Sequence, residues 1–207
     1  MKDIFVIISR THTKFGSIVR LFSNSQFNHA AIALDEKLLH WYSFARKKRV
    51  NVLSAGMVRE NLARYVMYQG AVNCKIFKIP VTEEQYEKIS SYITSVYYDK
   101  EYIYNYPSIL TYPVLKGIAC YKTFTCVEFV SYLLEKIDIP ICKERTKISP
   151  DELAHDLQLY LYYQGDLAQY VCQKRKVHTD KDYFRHFSLS DAIQCIHVVR
   201  MTKQRIL

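Results

Sequence analysis

A chain of 207 residues, 49% of them hydrophobic, can bury one sizeable core, and without a Pro-, Gly- or Ser-rich linker to divide it the expected organisation is one domain with a tail. Lys and Arg number 29 against 20 Asp and Glu, a net charge of +9, and no apolar run approaches the roughly 18 residues needed to cross a bilayer. The start, "MKDIFVIISRTHTK", has a short hydrophobic stretch but no small-residue cleavage site, so a membrane-spanning or secreted chain is not expected and a cytoplasmic one is.

In chain order, "IFVIIS" (4–9) is a β-branched apolar run that predicts a buried strand, and "GSIVRLFS" (16–23) reads as a short helix. "NHAAIALDEKLLHWYSF" (28–44) has two period-2 stretches around a polar break at Asp35, Glu36 and Lys37, the pattern of a hairpin. "NCKIFKIPV" (73–81) alternates as a further strand. Thr82 followed by Gln85 is a capping-box pattern that opens a helix through "EEQYEKISSYITSVYYDK". The Tyr- and Pro-rich stretch 101–122 reads as irregular. "FTCVEFVSYLLEK" (124–136) places Phe129, Val130, Leu133 and Leu134 at helical spacing, and Ile137 just past the quoted stretch continues the stripe. "SPDELAHDL" (149–157) predicts a helix with Ser149 as cap and Pro150 at its first position. "LQLYLYYQGDLAQY" (157–170) alternates again and ends in a strand-like turn at Gly165. "SDAIQCIHVVRMTKQRIL" (190–207), with Ser190 as cap, suits a helix or a strand. Strands and helices in mixed order predict an α+β fold, an antiparallel sheet packed against helices.

Six cysteines (Cys74, Cys120, Cys126, Cys142, Cys172, Cys195) are scattered without a CxxC pair, which suits reduced thiols rather than a disulfide framework or a zinc site. No metal and no organic cofactor is expected. Basic charge gathers at Arg46–Arg49 and in residues 172–207, where eight Lys or Arg face three Asp or Glu. No nucleic-acid motif accompanies these patches; they read as a solvated basic face, with contact to an anionic surface through the tail as the alternative.

One cysteine stands apart. Thr125 followed by Glu128 is the sequence form of a capping box, which makes Thr125 the N-cap and Cys126 the first helical residue. The positive end of a helix favours a thiolate, and its free amides can stabilise an oxyanion. Free cysteine is equally at home as a small buried hydrophobe, so the position alone leaves both readings open. A base decides between them. His29 opens a strand, and if residues 28–34 pair with 38–44 through a two-residue turn, Ala31 faces His40, His29 faces Tyr42, and both histidines share one sheet face. A three-residue turn puts them on opposite faces. A lone strand histidine is more often an ordinary core or surface residue than a base; two beside a capped cysteine change that balance.

Three stretches, "FNHAAIALDEKLLHWYSFARK", "FTCVEFVSYLL" and "KISPDELAHDL", resemble the circularly permuted branch of the NlpC/P60 papain-like cysteine hydrolases, close to the YiiX/YebB-like proteins. The resemblance covers roughly residues 1–170 and leaves 171–207 as a basic C-terminal extension, expected to pack on the same domain. It implies a permuted papain-like fold with Cys126 as nucleophile and His29 as general base. His40 would be the third residue that orients the imidazole, with Tyr42 as its competitor. The implied reaction is cleavage of a peptide or isopeptide bond through a thioester, with no metal or cofactor. The related lecithin:retinol acyltransferase-like branch typically reads Asn-Cys-Glu-His-Phe at the nucleophile where this chain has "TCVEFV". A lipid-directed acyltransferase or phospholipase is therefore the alternative, and a degenerate hydrolase that binds a partner through its tail is a third.

Overall fold

The computed structural model describes residues 1–66 and 71–206. In chain order its elements are β1 (Lys2–Ser9), α1 (Lys14–Ser23), β2 (His29–Ala33), β3 (Trp41–Lys48), β4 (Asn51–Arg59), α2 (Ala63–Val66), β5 (Asn73–Val81), α3 (Glu83–Tyr98), β6 (Ile103–Tyr104), α4 (Tyr106–Leu115), β7 (Thr123–Phe124) and α5 (Cys126–Glu135). They continue with α6 (Pro150–Asp156), a 3-10 turn (Gln158–Tyr160), β8 (Leu161–Asp166), α7 (Leu167–Lys174), α8 (Lys181–Phe184) and α9 (Leu189–Ile206).

Six strands form one sheet in the order β4-β3-β2-β1-β5-β8, with every neighbouring pair antiparallel. The chain is thus mixed α+β, with an antiparallel sheet covered by helices. The alternation along β1 and β2 explains both layers. Ile4, Val6, Ile8, Ala30 and Ile32 face a core shared with Ile89 and Ile93 of α3 and with Phe129, Val130, Leu133 and Leu134 of α5. Phe5, Ile7, Ala31 and Ala33 face the other way, onto Trp41, Leu62 and Leu167 and Val171 of α7. A strand covered on both faces has to be apolar throughout, which is why "IFVIIS" reads as a continuous run.

Segment 101–122 differs from the irregular stretch its composition suggests. It holds β6, which pairs in parallel with β7, and the helix α4. Asn105 caps α4 by accepting the Ser108 N–H (3.2 Å), and Pro107 falls in the first turn, where a missing N–H costs nothing. Pro113 sits inside the helix at the cost of one backbone bond. Around residue 165 the chain does not turn. Gly165 lies in β8 opposite Cys74, and Asp166 caps α7 by accepting the Ala168 N–H (3.2 Å).

The tail, 171–207, folds back onto the sheet. The helix α9 begins just after Ser188, whose N–H is accepted by Asp191 (2.8 Å), and Asp191 also pairs with Lys48 of β3 in a buried ion pair. Cys195 accepts from Asn51 (2.9 Å). The helix therefore covers β4, the edge strand whose unpaired backbone would otherwise be open to another chain. Among the described residues no helix is long and apolar enough to cross a membrane.

Candidate active site

The start of α5 is built as its sequence pattern predicts. Thr125 accepts the Glu128 N–H (3.2 Å) and the Glu128 carboxylate accepts the Thr125 N–H (2.8 Å), so Cys126 is the first helical residue. The same carboxylate takes Asn105 Nδ2 (3.1 Å) and the Ser108 hydroxyl, which locks the β6–α4 corner to the helix start. Burial pushes the Glu128 carboxyl up, against the pull of these donors. That lock positions Tyr104, a buried tyrosine that lines the cleft with Cys126 and whose hydroxyl burial pushes well up. Phe44 of β3 packs against Phe124 (5.4 Å between ring centres) and Phe129 (5.1 Å), so the helix start is held against the sheet.

His29 reaches the same place from β2. Its Nε2 lies 2.9 Å from Glu60 Oε1, with side chains 11% and 2% exposed, and the Cys126 side chain is its other neighbour in the cleft. Burial opposes a charge on the ring, but the Cys126 thiol and the Glu60 carboxylate outweigh it and raise His29 to about 10. Burial acts on Glu60 in the opposite sense, and the neighbouring His29 and Arg64 hold its carboxyl below the usual range. Tyr65 packs beside the His29 ring, 6.1 Å between centres.

His40 does not join them. The hairpin pairs Ile32 with Tyr42 and Ala33 with Trp41, and the Leu34 N–H donates to the His40 carbonyl (2.9 Å). The residue opposite Tyr42 is therefore Ile32 rather than His29, an odd shift that turns His40 and Tyr42 to the face opposite His29. The connection 35–39 is longer than the two-residue turn expected from the sequence. Leu38 adopts a left-handed conformation (φ 52°), and the Asp35 carboxylate accepts the N–H groups of Leu39 (2.9 Å) and His40 (2.7 Å). His40 Nδ1 rests on that carboxylate at 3.2 Å with its side chain 55% exposed.

Glu60 takes the place expected of His40. It follows the end of β4, its N–H donates to the Trp41 carbonyl (2.6 Å), and Trp41 lies opposite Ala33, so alternation puts Glu60 on the His29 face. A usable signal was there in "NVLSAGMVRE", a period-2 stretch ending in an acid with Arg64 four residues on.

Cys126, His29 and Glu60 open onto a cleft of about 80 Å³, also lined by Tyr104, Arg46 and Tyr183. Cys126 lies against a second, small pocket as well, of about 30 Å³, walled by Val19, Phe22, Ile109, Tyr112 and Ile148. The remaining cysteines are spread over the fold, and burial pushes the Cys74 thiol up to about 12. Among the described residues no group of three or more His, Cys, Asp or Glu is arranged to hold a metal ion. No protein-family model, no curated protein and no solved structure matches this chain. The chemistry has to follow from the site.

Proposed function

We propose that the chain is a cysteine hydrolase with a circularly permuted papain-like (NlpC/P60) architecture, cleaving an amide bond of a peptide or isopeptide through a thioester on Cys126. The observation that carries this reading is the shared ring: His29 meets the thiol of a helix-capped cysteine on one side and a buried carboxylate at 2.9 Å on the other. A buried histidine needs a partner on each ring nitrogen whatever its role, so it is the kind of partners, a helix-capped thiol and a buried carboxylate, that points to catalysis. A nucleophile, a base and an orienting acid need both.

In the proposed cycle the Cys126 proton passes to His29, and the sulfur attacks the substrate carbonyl carbon. The tetrahedral oxyanion is met by the amide N–H at the head of α5 and by the Tyr104 hydroxyl. Collapse breaks the C–N bond as His29 returns its proton to the leaving amine. Water, deprotonated by His29, then attacks the thioester, releasing the carboxylic acid and restoring the thiol. Glu60 stabilises the imidazolium throughout and is not itself protonated.

A second reading is supported by the pocket behind Cys126, whose Val19, Phe22, Ile109 and Ile148 suit an aliphatic acyl chain. Lipid-ester hydrolysis or acyl transfer by the same residues is that alternative. Matched amide and lipid-ester substrates, each read by intact mass for acylation of the chain, separate the two. A thioester from the amide substrate, lost in Cys126→Ala, supports the first reading. Acylation from the lipid ester alone replaces it with the second, and acylation from neither removes both.

A further inference from the structure

We propose that the C-terminal extension completes the site, with Asp180 holding Arg64 against Glu60 so that Arg64 and Asp180 are positioning residues for the His29–Glu60 pair. This rests on the cysteine-hydrolase reading. The geometry is a chain of buried charges that ends on the base. Arg64 Nε donates to Asp180 Oδ2 at 2.5 Å, with side chains 12% and 14% exposed, and Arg64 Nη1 lies 4.0 Å from Glu60 Oε2. The guanidinium also sits 4.8 Å from the centre of the Tyr183 ring and donates to the Arg46 carbonyl (3.4 Å).

Asp180 is itself fixed. It caps α8 by accepting the Tyr183 N–H (3.1 Å), and Tyr183 is tied to β3 and its turn, taking the Arg49 N–H on its carbonyl (3.0 Å) and Arg46 Nη2 on its hydroxyl (3.3 Å). The extension thus supplies a wall of the cleft, Tyr183, and the carboxylate that orients the cation beside Glu60. Residues 171–207 lie outside the stretches that carry the family resemblance, so the device belongs to this chain.

An isolated buried carboxylate tends to take up a proton, and a nearby cation opposes that. The groups facing Glu60 are His29 from β2 and Arg64 and Tyr65 from α2; those facing His29 are Cys126 from α5, Glu60 and Tyr65. Arg64 is faced by Glu60, Asp180 and Tyr183. It is therefore a second cation, beside the His29 imidazolium, that keeps Glu60 ionised. Once freed from Asp180 it can swing toward the cleft and leave Glu60 uncompensated. A purely electrostatic change in Asp180→Asn, with Arg64 staying in place, would act the other way, because losing the aspartate charge strengthens the pull of Arg64 on Glu60.

The test uses the full chain and two readouts, the pH dependence of Cys126 alkylation by iodoacetamide and the titration of the His29 ring nitrogens by NMR. Arg64→Gln and Asp180→Asn are expected to raise the acid-side midpoint of alkylation by about one pH unit and to slow it about tenfold near pH 5, with little change near pH 8. Asp180→Glu, which restores the carboxylate, is expected to recover the native profile. A shift in Arg64→Gln but none, or a downward one, in folded Asp180→Asn would overturn the role of the extension. Native profiles in both variants would reduce the cluster to packing. If Cys126 of the native chain is not preferentially alkylated, the hydrolase reading fails, while the His29 titration still decides whether Asp180 acts on that pair.

Discussion

His29 and His40 belong to one hairpin and meet opposite fates. His29, at the start of β2, is buried between a thiol and a carboxylate; His40, at the end of the connection, lies half in solvent on Asp35. Residue type does not separate them. Register does: the pairing of Ala33 with Trp41 puts Glu60 on the His29 face and His40 on the other, while His29, at the very start of β2, also lines the cleft with Cys126. The comparison teaches that a catalytic partner is selected by strand parity, which a turn with an unexpected left-handed Leu38 can reverse.

The sharpest way to break that contrast is to delete each ring. His29→Ala is expected to lower Cys126 alkylation and amide turnover by about 10²-fold or more, the usual worth of a general base. His40→Ala should leave both within about twofold, and equal losses would undo the distinction.

The next effect belongs to the carboxylate. Glu60→Gln keeps the shape but not the charge, and is expected to cost on the order of tenfold or more in turnover. It should also bring His29 down from about 10 toward its ordinary 6.5, followed by ring NMR. The raised value fixes the sign of the linkage. The stability contributed by charged His29 is fully present below its unfolded value of 6.5 and is lost as pH rises through about 10. For Glu60, whose carboxyl is held low, the contribution is present above its ordinary 4.5 and is lost as pH falls. Thermal melts of the native chain should therefore decline between pH 6.5 and about 10, and the decline should shift to lower pH in Glu60→Gln. Turnover, which needs imidazolium as the acid for the leaving amine, should fall above about pH 10, whereas alkylation, which does not, should persist.

Smaller effects sharpen the two ends of the site. Thr125→Ala removes the cap at the head of α5 and is expected to destabilise the chain by about 1 kcal/mol in denaturant titration. Asp35→Ala removes the acceptor of the Leu39 and His40 N–H groups and is expected to cost about 1 kcal/mol, with Cys126 alkylation kept within about twofold while the chain stays folded.

What could be read in the sequence follows the range of the interaction. The Thr125–Glu128 cap spans three residues and needs no tertiary context, so Cys126 was legible as the first residue of a helix. The strand 73–81 was legible because polar and apolar residues alternate on either side of Ile76–Phe77. The hairpin register was not, since Asp35 closes a connection that has no Gly or Asn to announce its type. Glu60 is 31 residues from His29, and Asp180 is 116 from Arg64; only the fold brings such pairs together. In 101–122, Pro and Tyr masked a helix because Pro107 falls in its first turn, where it starts a helix rather than breaking one.

The central claim is that Cys126 is activated by His29 and Glu60, and competitive alkylation tests it most directly. With substoichiometric iodoacetamide near neutral pH, followed by peptide mapping, simple access predicts that exposed Cys142 and Cys172 react first and that buried Cys126 lags with Cys74. The account predicts the reverse: Cys126 is modified first, and His29→Ala or Glu60→Gln removes its lead. Modification of Cys142 and Cys172 ahead of Cys126 in the native chain would contradict it.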